Sequence, residues 1–159
     1  MLKLYPCLWF NGQAEEAARF YASLIPNSSV ENVWRSPAET PSGPAGMALT
    51  VDFTLYGQHF QGLNGGPDFK FNESVSFVIE VEDQAEVDRL WEALTADGGQ
   101  PSQCGWLKDR FGLSWQIVPR RLFELLGDKD PDRARRAMEA MLEMGKIEIL
   151  QIEQAANAA

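Results

Sequence analysis

Two pentapeptides decide the fold: Gly57-Gln58-His59-Phe60-Gln61 and Gly112-Leu113-Ser114-Trp115-Gln116. Each reads glycine, two residues, an aromatic, then glutamine, and each lies in a stretch patterned as a strand. A second pair repeats in the same order further upstream. Gln13-Ala14-Glu15 recurs as Gln84-Ala85-Glu86, and both triplets open a helix directly after a strand. Self-similarity of this kind marks a duplicated supersecondary unit.

Working outward from these repeats fills in each unit. Residues 2–10 form a short apolar run that reads as a buried strand. The helix over 13–25 presents Ala14, Ala17, Ala18, Tyr21 and Leu24 as one apolar stripe, and Pro26-Asn27 ends it. Strands follow over 29–34, 47–55 and 58–63, with a Pro- and Gly-rich loop over 36–46. Asn64–Asn72 holds Gly65-Gly66-Pro67 and reads as the connection between halves. A strand over 74–81 opens the second half. Asp83 and Glu86 form a capping-box pattern ahead of a helix, which carries Val87, Leu90, Trp91 and Leu94 at helical spacing. Gly98-Gly99 stops that helix. Residues 104–108 and 113–118 read as a hairpin pair. Helices are predicted over 121–126 and 131–144, with a short helix or strand over 147–153.

The predicted class is α+β: tandem strand–helix–strand–strand–strand modules, about 1–66 and 73–120, in one domain over 1–120. A helical extension over 121–153 and a frayed tail over 154–159 complete the chain. A net charge of −9 on 159 residues excludes an electrostatic nucleic-acid binder. No apolar run approaches the ~20 residues that span a bilayer. Residues 1–10 lack the charged segment of a secretory signal, so the expected setting is cytoplasmic, with Cys7 and Cys104 as free thiols.

This duplicated βαβββ pattern resembles the vicinal oxygen chelate superfamily, which includes glyoxalases, bleomycin-resistance proteins and dioxygenases. The similarity is strongest to its PhnB-like branch, often labelled 3-demethylubiquinone-9 3-methyltransferase domain proteins. It rests on Pro6-Cys7-Leu8-Trp9-Phe10, Gly12–Ala17 with Phe20-Tyr21, Leu63–Pro67 with Phe69, Gln103–Trp106, and Gly112–Pro119. The resemblance implies a curved mixed sheet with a ligand cavity on its concave face and pairing into a homodimer.

The resemblance also implies divalent-metal positions on the first and last strand of each module. Carried onto this chain they fall at Pro6, Gln61, Ser76 and Gln116. Proline has no side-chain donor, and serine and neutral amides are poor ligands for transition metals. No metal and no other cofactor is therefore expected. The sole histidine, His59, shares a strand face with Gln61 but reads as a solvent or turn-edge residue. Cys7, one residue out of phase with Pro6, is expected against the helix layer.

The expected cavity is lined by Pro6, Gln61, Ser76, Gln116, Ser114, Asn64, Phe69, Phe71 and Trp106. Its glutamines either bind a polar ligand or satisfy each other or a buried water. Glu80 and Asp109 are the candidate acid and base if they meet. The adenosylmethionine pattern, a Gly-rich turn after a first parallel strand, is missing. Three functions follow: a small-molecule binder, an enzyme of unidentified reaction, or an interaction protein. For the last, Ala137, Met138, Met141, Leu142 and Met144 form either a Met-rich partner surface or core.

Overall fold

The computed structural model describes residues 1–158 and resolves them into two compact units, Met1–Phe71 and the described residues from Asn72 onward. The first unit runs β1 (Cys7–Phe10), α1 (Ala14–Leu24), β2 (Ser29–Arg35), β3 (Ala48–Leu55) and β4 (Gln58–Asn64). Its four strands lie in the order β1-β4-β3-β2, with β1 parallel to β4 and the other pairs antiparallel. The second unit repeats the plan with β5 (Ser76–Val81), α2 (Gln84–Thr95), β6 (Gln100–Pro101), β7 (Trp106–Lys108) and β8 (Ser114–Pro119). Its order is β5-β8-β7-β6, again with a single parallel pair at β5-β8. Strand–helix–strand–strand–strand, twice, is the glyoxalase/bleomycin-resistance/dioxygenase arrangement in the α+β class. The expected mixed sheet is two four-stranded mixed sheets, one in each unit.

The first core forms because strand alternation aims one face of the sheet at α1. Leu8, Phe10, Val51, Phe53, Leu55 and Phe60 bury on that face, and Ala14, Ala17, Ala18 and Tyr21 of α1 are buried with them. Small residues let the helix approach closely: a Cβ on Gly62 would sit 3.1 Å from the Ala14 Cβ. In the second unit Val87, Leu90 and Leu94 of α2 are buried, as are Leu107, Trp115 and Ile117 of the sheet. Asp83 caps α2, accepting from the Glu86 amide at 3.0 Å. The Glu86 side chain pairs with Arg89 rather than returning to the cap, so half of the expected box forms.

The C-terminal helices α3 (Arg120–Leu126), α4 (Pro131–Leu142) and α5 (Ile149–Asn157) belong to the second unit. Leu122, Leu125, Ala137, Met144, Ile147, Ile152 and Ala156 cluster with Val118 of β8. Met141 packs against this cluster, while Met138 and Leu142 are exposed. The Met-rich helix therefore divides between the two roles its sequence left open.

Three expectations change. The first strand starts at Cys7 rather than Leu2, and Leu2 and Leu4 are exposed. Pro6 has no N–H to extend the ladder; only its carbonyl takes part, accepting from the Gln61 amide at 3.0 Å. Residues 154–157 are helical instead of frayed, because Ala156 is fully buried in the C-terminal cluster. Ala159 lies outside the described residues. Strand β6 was not foreseen, since two residues are too short to show alternation.

Candidate functional site

Each sheet has a face turned away from its helix, and cross-strand register fixes what that face carries. In the first sheet Cys7 pairs with Gln61, Gln61 with Asp52, and Asp52 with Asn32. Directly paired residues share a face, so these four side chains form one polar row across all four strands. His59 stands two residues before Gln61 on β4, beside Thr54 of β3.

Gln61, Asp52 and Asn32 of this row floor an open pocket of about 640 Å³, lined also by Lys3, Leu4, Tyr5, Glu31 and His59. His59 is the hub. Its Nδ1 lies 3.8 Å from Glu31 and its Nε2 3.9 Å from Asp52. The Tyr5 ring meets it edge-on at 4.5 Å between centroids. Gln61 Nε2 donates to Asp52 Oδ1 at 3.2 Å, and Thr54 Oγ1 donates to Glu31. Glu31 reaches this cluster because the β2–β3 register slips between Val30 and Asn32. His59 stands near the Tyr56-Gly57 turn with its side chain 37% exposed, as expected, and it also lines this pocket. Asp52, Glu31, Asn32, Lys3 and Tyr5 were missed. Asp52 had a signal: it is the one charged residue in the strand Ala48–Leu55.

The expected first-strand positions shift. Pro6 is out of phase with Gln61, and Cys7 occupies the row in its place. Cys7 is exposed on the open face, because Leu8 and Phe10 are the residues turned to α1. Partial desolvation pushes its thiol pKa up, so at neutral pH it stays protonated and weakly nucleophilic.

In the second sheet Ser76, Ser114, Lys108 and Gln100 form one row, and Val78, Gln116 and Trp106 the next. The structure therefore brings Ser76, Ser114, Gln116 and Trp106 onto one face. Gln116 Nε2 donates to Ser76 Oγ at 2.9 Å. Each glutamine has a partner within its own unit, Asp52 for Gln61 and Ser76 for Gln116.

Four other candidates take structural places. Asn64 faces the core: its Oδ1 accepts from the Ala14 amide and its Nδ2 donates to the Ala48 carbonyl, both at 2.9 Å. Phe71 packs edge-on against Phe10 at 5.2 Å, a residue of the helix-facing side. Phe69 is exposed and meets Trp9 edge-on at 4.9 Å. Asp109 is buried and accepts from Phe111 N, Leu113 N and Trp115 Nε1 at 2.8, 3.0 and 2.9 Å. Glu80 lies exposed on the opposite face, paired with Val118, so the acid–base pair never assembles.

The donor set does not fit a metal centre of the kind the fold suggests. Beside Gln116 the ladder places Val78, which has no donor atom. The two carboxylates around His59 face different ring nitrogens and cannot converge with it on one ion. Among the described residues no group of three or more His, Cys, Asp or Glu side chains is arranged to hold a metal.

Comparison with known proteins now bears on the chain. The family described as 3-demethylubiquinone-9 3-methyltransferase matches residues 2–118. The chain belongs to this family. A PhnB protein from Bacillus cereus is 30% identical, with 74% of this chain and 99% of that one covered, at a TM-score of 0.66. The PA1353 protein from Pseudomonas aeruginosa is 22% identical over 75% and 98%, at a TM-score of 0.60. A glyoxalase/bleomycin resistance protein from Albidiferax ferrireducens matches more distantly, with 15% identity over 76% and 99% and a TM-score of 0.47. Comparison with curated proteins gives no match. The C-terminal helices lie beyond the matched span. No helix among the described residues is long and apolar enough to cross a membrane.

Proposed function

We propose that the protein binds a small, polar, ring-bearing organic molecule without a metal, in the pocket on the open face of the first sheet. The carrying observation is the His59 hub, with a carboxylate facing each ring nitrogen and an aromatic ring against its side. Glu31, Asp52 and the Asn32 and Gln61 amides offer mostly hydrogen-bond acceptors with two amide donors. Tyr5 supplies the apolar contact that a flat ring needs. A volume of about 640 Å³ is the size of an ordinary small-molecule site.

The family's printed description is a methyltransferase, and the turns of this chain weigh against that chemistry. The β1–α1 turn, Asn11-Gly12-Gln13, and the β5–α2 turn, Glu82-Asp83, are not glycine-rich loops of the kind that cradle a nucleotide. Binding, rather than methyl transfer, is the reading the pocket supports.

The sole histidine makes the test direct. A panel of aromatic amines, phenols and amides is screened by thermal shift, with the His59 imidazole protons followed by NMR. A true ligand moves the His59 resonances saturably, and Asp52→Asn weakens it. Stabilisation of the protein with unmoved His59 resonances for every stabilising compound would overturn the reading. The homodimer implied by the resemblance is checked by light scattering, where a monomeric mass counts against it.

A further inference from the structure

A second site lies on the open face of the second sheet, around a hydroxyl that nothing satisfies. Ser114 stands between Ser76 and Lys108 in the ladder. It is 1% exposed, and its Oγ is buried without a hydrogen-bond partner among the described residues. Ser76 offers no help, since its Oγ is engaged by Gln116. A buried hydroxyl left unpaired is costly, and such groups in folded proteins call for an explanation. Ser114 lines a pocket of about 150 Å³ with Trp106, Pro101, Leu107, Lys108 and Glu73.

The mouth of this pocket already holds a carboxylate. Glu73 pairs with Lys108, but Glu73 is 60% and Lys108 38% exposed, so the pair sits in solvent. Exposed ion pairs of this kind contribute little. Satisfying the buried hydroxyl is worth more than keeping Glu73 in place. A free carboxylate can do both jobs, because paired residues on one face lie ~5 Å apart at Cβ. It can take the Lys108 ammonium and accept from Ser114 Oγ–H. The single cation selects a monoanion over a phosphate dianion. Trp106, on the same face as Ser114 and Lys108, supplies apolar wall for a short carbon chain.

We propose that this pocket is a binding site for a small organic monocarboxylate, which displaces Glu73 from Lys108 and accepts the Ser114 hydroxyl proton. It lies in the second unit and does not depend on the His59 pocket.

The test is an amide NMR titration of the whole chain with sodium propionate. Sodium chloride holds ionic strength constant, and propionamide serves as the uncharged control of like shape. Saturable shifts at Ser114 and Lys108 are expected with propionate and not with propionamide. Removing the competing charge in Glu73→Gln should tighten binding about fivefold. Ser114→Ala should weaken it about tenfold. That variant should fold normally, because it deletes an unsatisfied group. Three results overturn the proposal: no saturable shift in the wild type and E73Q, equal shifts with propionamide, or unchanged affinity in S114A, which would leave water as the hydroxyl's partner. Shifts confined to His59 and its neighbours also overturn it, placing the carboxylate in the other pocket. The first three results do not bear on whether a ring-bearing ligand occupies the His59 pocket.

Discussion

At the scale of single residues, several side chains that look chemical hold the fold instead. Asp109 is the clearest. Its carboxylate gathers two amides of its own turn and the Trp115 indole, tying the β7–β8 connection to the core. Charge-assisted bonds of this kind are about twice as strong as neutral ones. Asp109→Asn keeps the shape but brings an NH2 group against N–H donors. The expected loss is about 2 kcal/mol in urea unfolding, with the His59 resonances unmoved. A variant as stable as the parent would show that the turn closes without the charge. Gly65 makes a similar case on steric grounds. A Cβ there would lie 2.3 Å from the Trp9 ring, whose Nε1 donates to the Gly66 carbonyl at 2.9 Å. Gly65→Ala must push Trp9 out of place, and about 1–3 kcal/mol of stability should go with it. Trp9 fluorescence should shift at the same time. The Asn64-Gly65-Gly66 run is therefore a wrap around an indole, and Gly65 is required by that close approach.

At the scale of elements, α1 shows how a helix start can be assembled from distant sequence. Gln13 makes no side-chain cap. The acceptor comes instead from Asn64 at the end of β4, fifty residues away, bonded to the Ala14 amide. Asn64→Ala removes that cap and also orphans the Ala48 carbonyl, so a loss of about 2 kcal/mol is expected. Hydrogen exchange should quicken at the Ala14 amide first. Asn64→Asp keeps the acceptor and loses the donor, so it should recover part of the loss; equal loss in both variants would assign the effect to packing alone. Local elements were legible because periodicity and capping are local signals. The α1 stripe of Ala14, Ala17, Ala18 and Tyr21 and the Asp83 cap of α2 could be read directly. The phase of the first strand could not, because it depends on which β4 residue faces Cys7. One residue of slip exchanges the two faces, and that slip is why Pro6 was preferred to Cys7. The His59 hub escaped for a related reason. Glu31 joins it only through a register shift between β2 and β3, and such shifts leave no periodic trace.

At the scale of the molecule, the duplication was legible, since the register places Gln61 and Gln116 alike, each beside a parallel first strand. The division of polar chemistry between the sheets was not, because the rows end differently: Asp52 and Asn32 in one, Trp106 in the other. Charge gives the last prediction. Glu73, Glu86, Asp88 and Asp128 all have pKa values held below their ordinary ones, and all lie in the second unit. Lys108 acts on Glu73, Arg89 on Glu86, and Lys146 first and Gln84 second on Asp88. For Asp128 the Asp130 amide comes first and Arg133 second. Each carboxyl binds its proton more weakly folded than unfolded. Their contribution is thus complete above the ordinary values, 4.5 for Glu and 3.8 for Asp, and disappears as pH falls through the lower folded values. Lys146 runs the other way: its pKa is raised from 10.5, chiefly by Asp88, so its share is lost only as pH climbs beyond that. Stability from these pairs should be level between about pH 5 and pH 10 and decline on the acid side. The net charge of −9 opposes this decline, since protonation relieves self-repulsion. Salt separates the two effects, because at ~0.15 M ionic strength charges more than ~8 Å apart are screened while touching pairs keep more of theirs. Urea midpoints at pH 7, 4.5 and 3 in that salt should therefore fall, and Asp88→Asn should flatten the fall. Hydrogen exchange should place the acid loss first in α2 and the segment around Lys146, whose ammonium bonds Asp88 at 2.6 Å. A midpoint that rises steadily from pH 7 to pH 3 in salt would mean that repulsion outweighs the pairs, and that the ties of the second unit are ornaments of its surface rather than part of its stability.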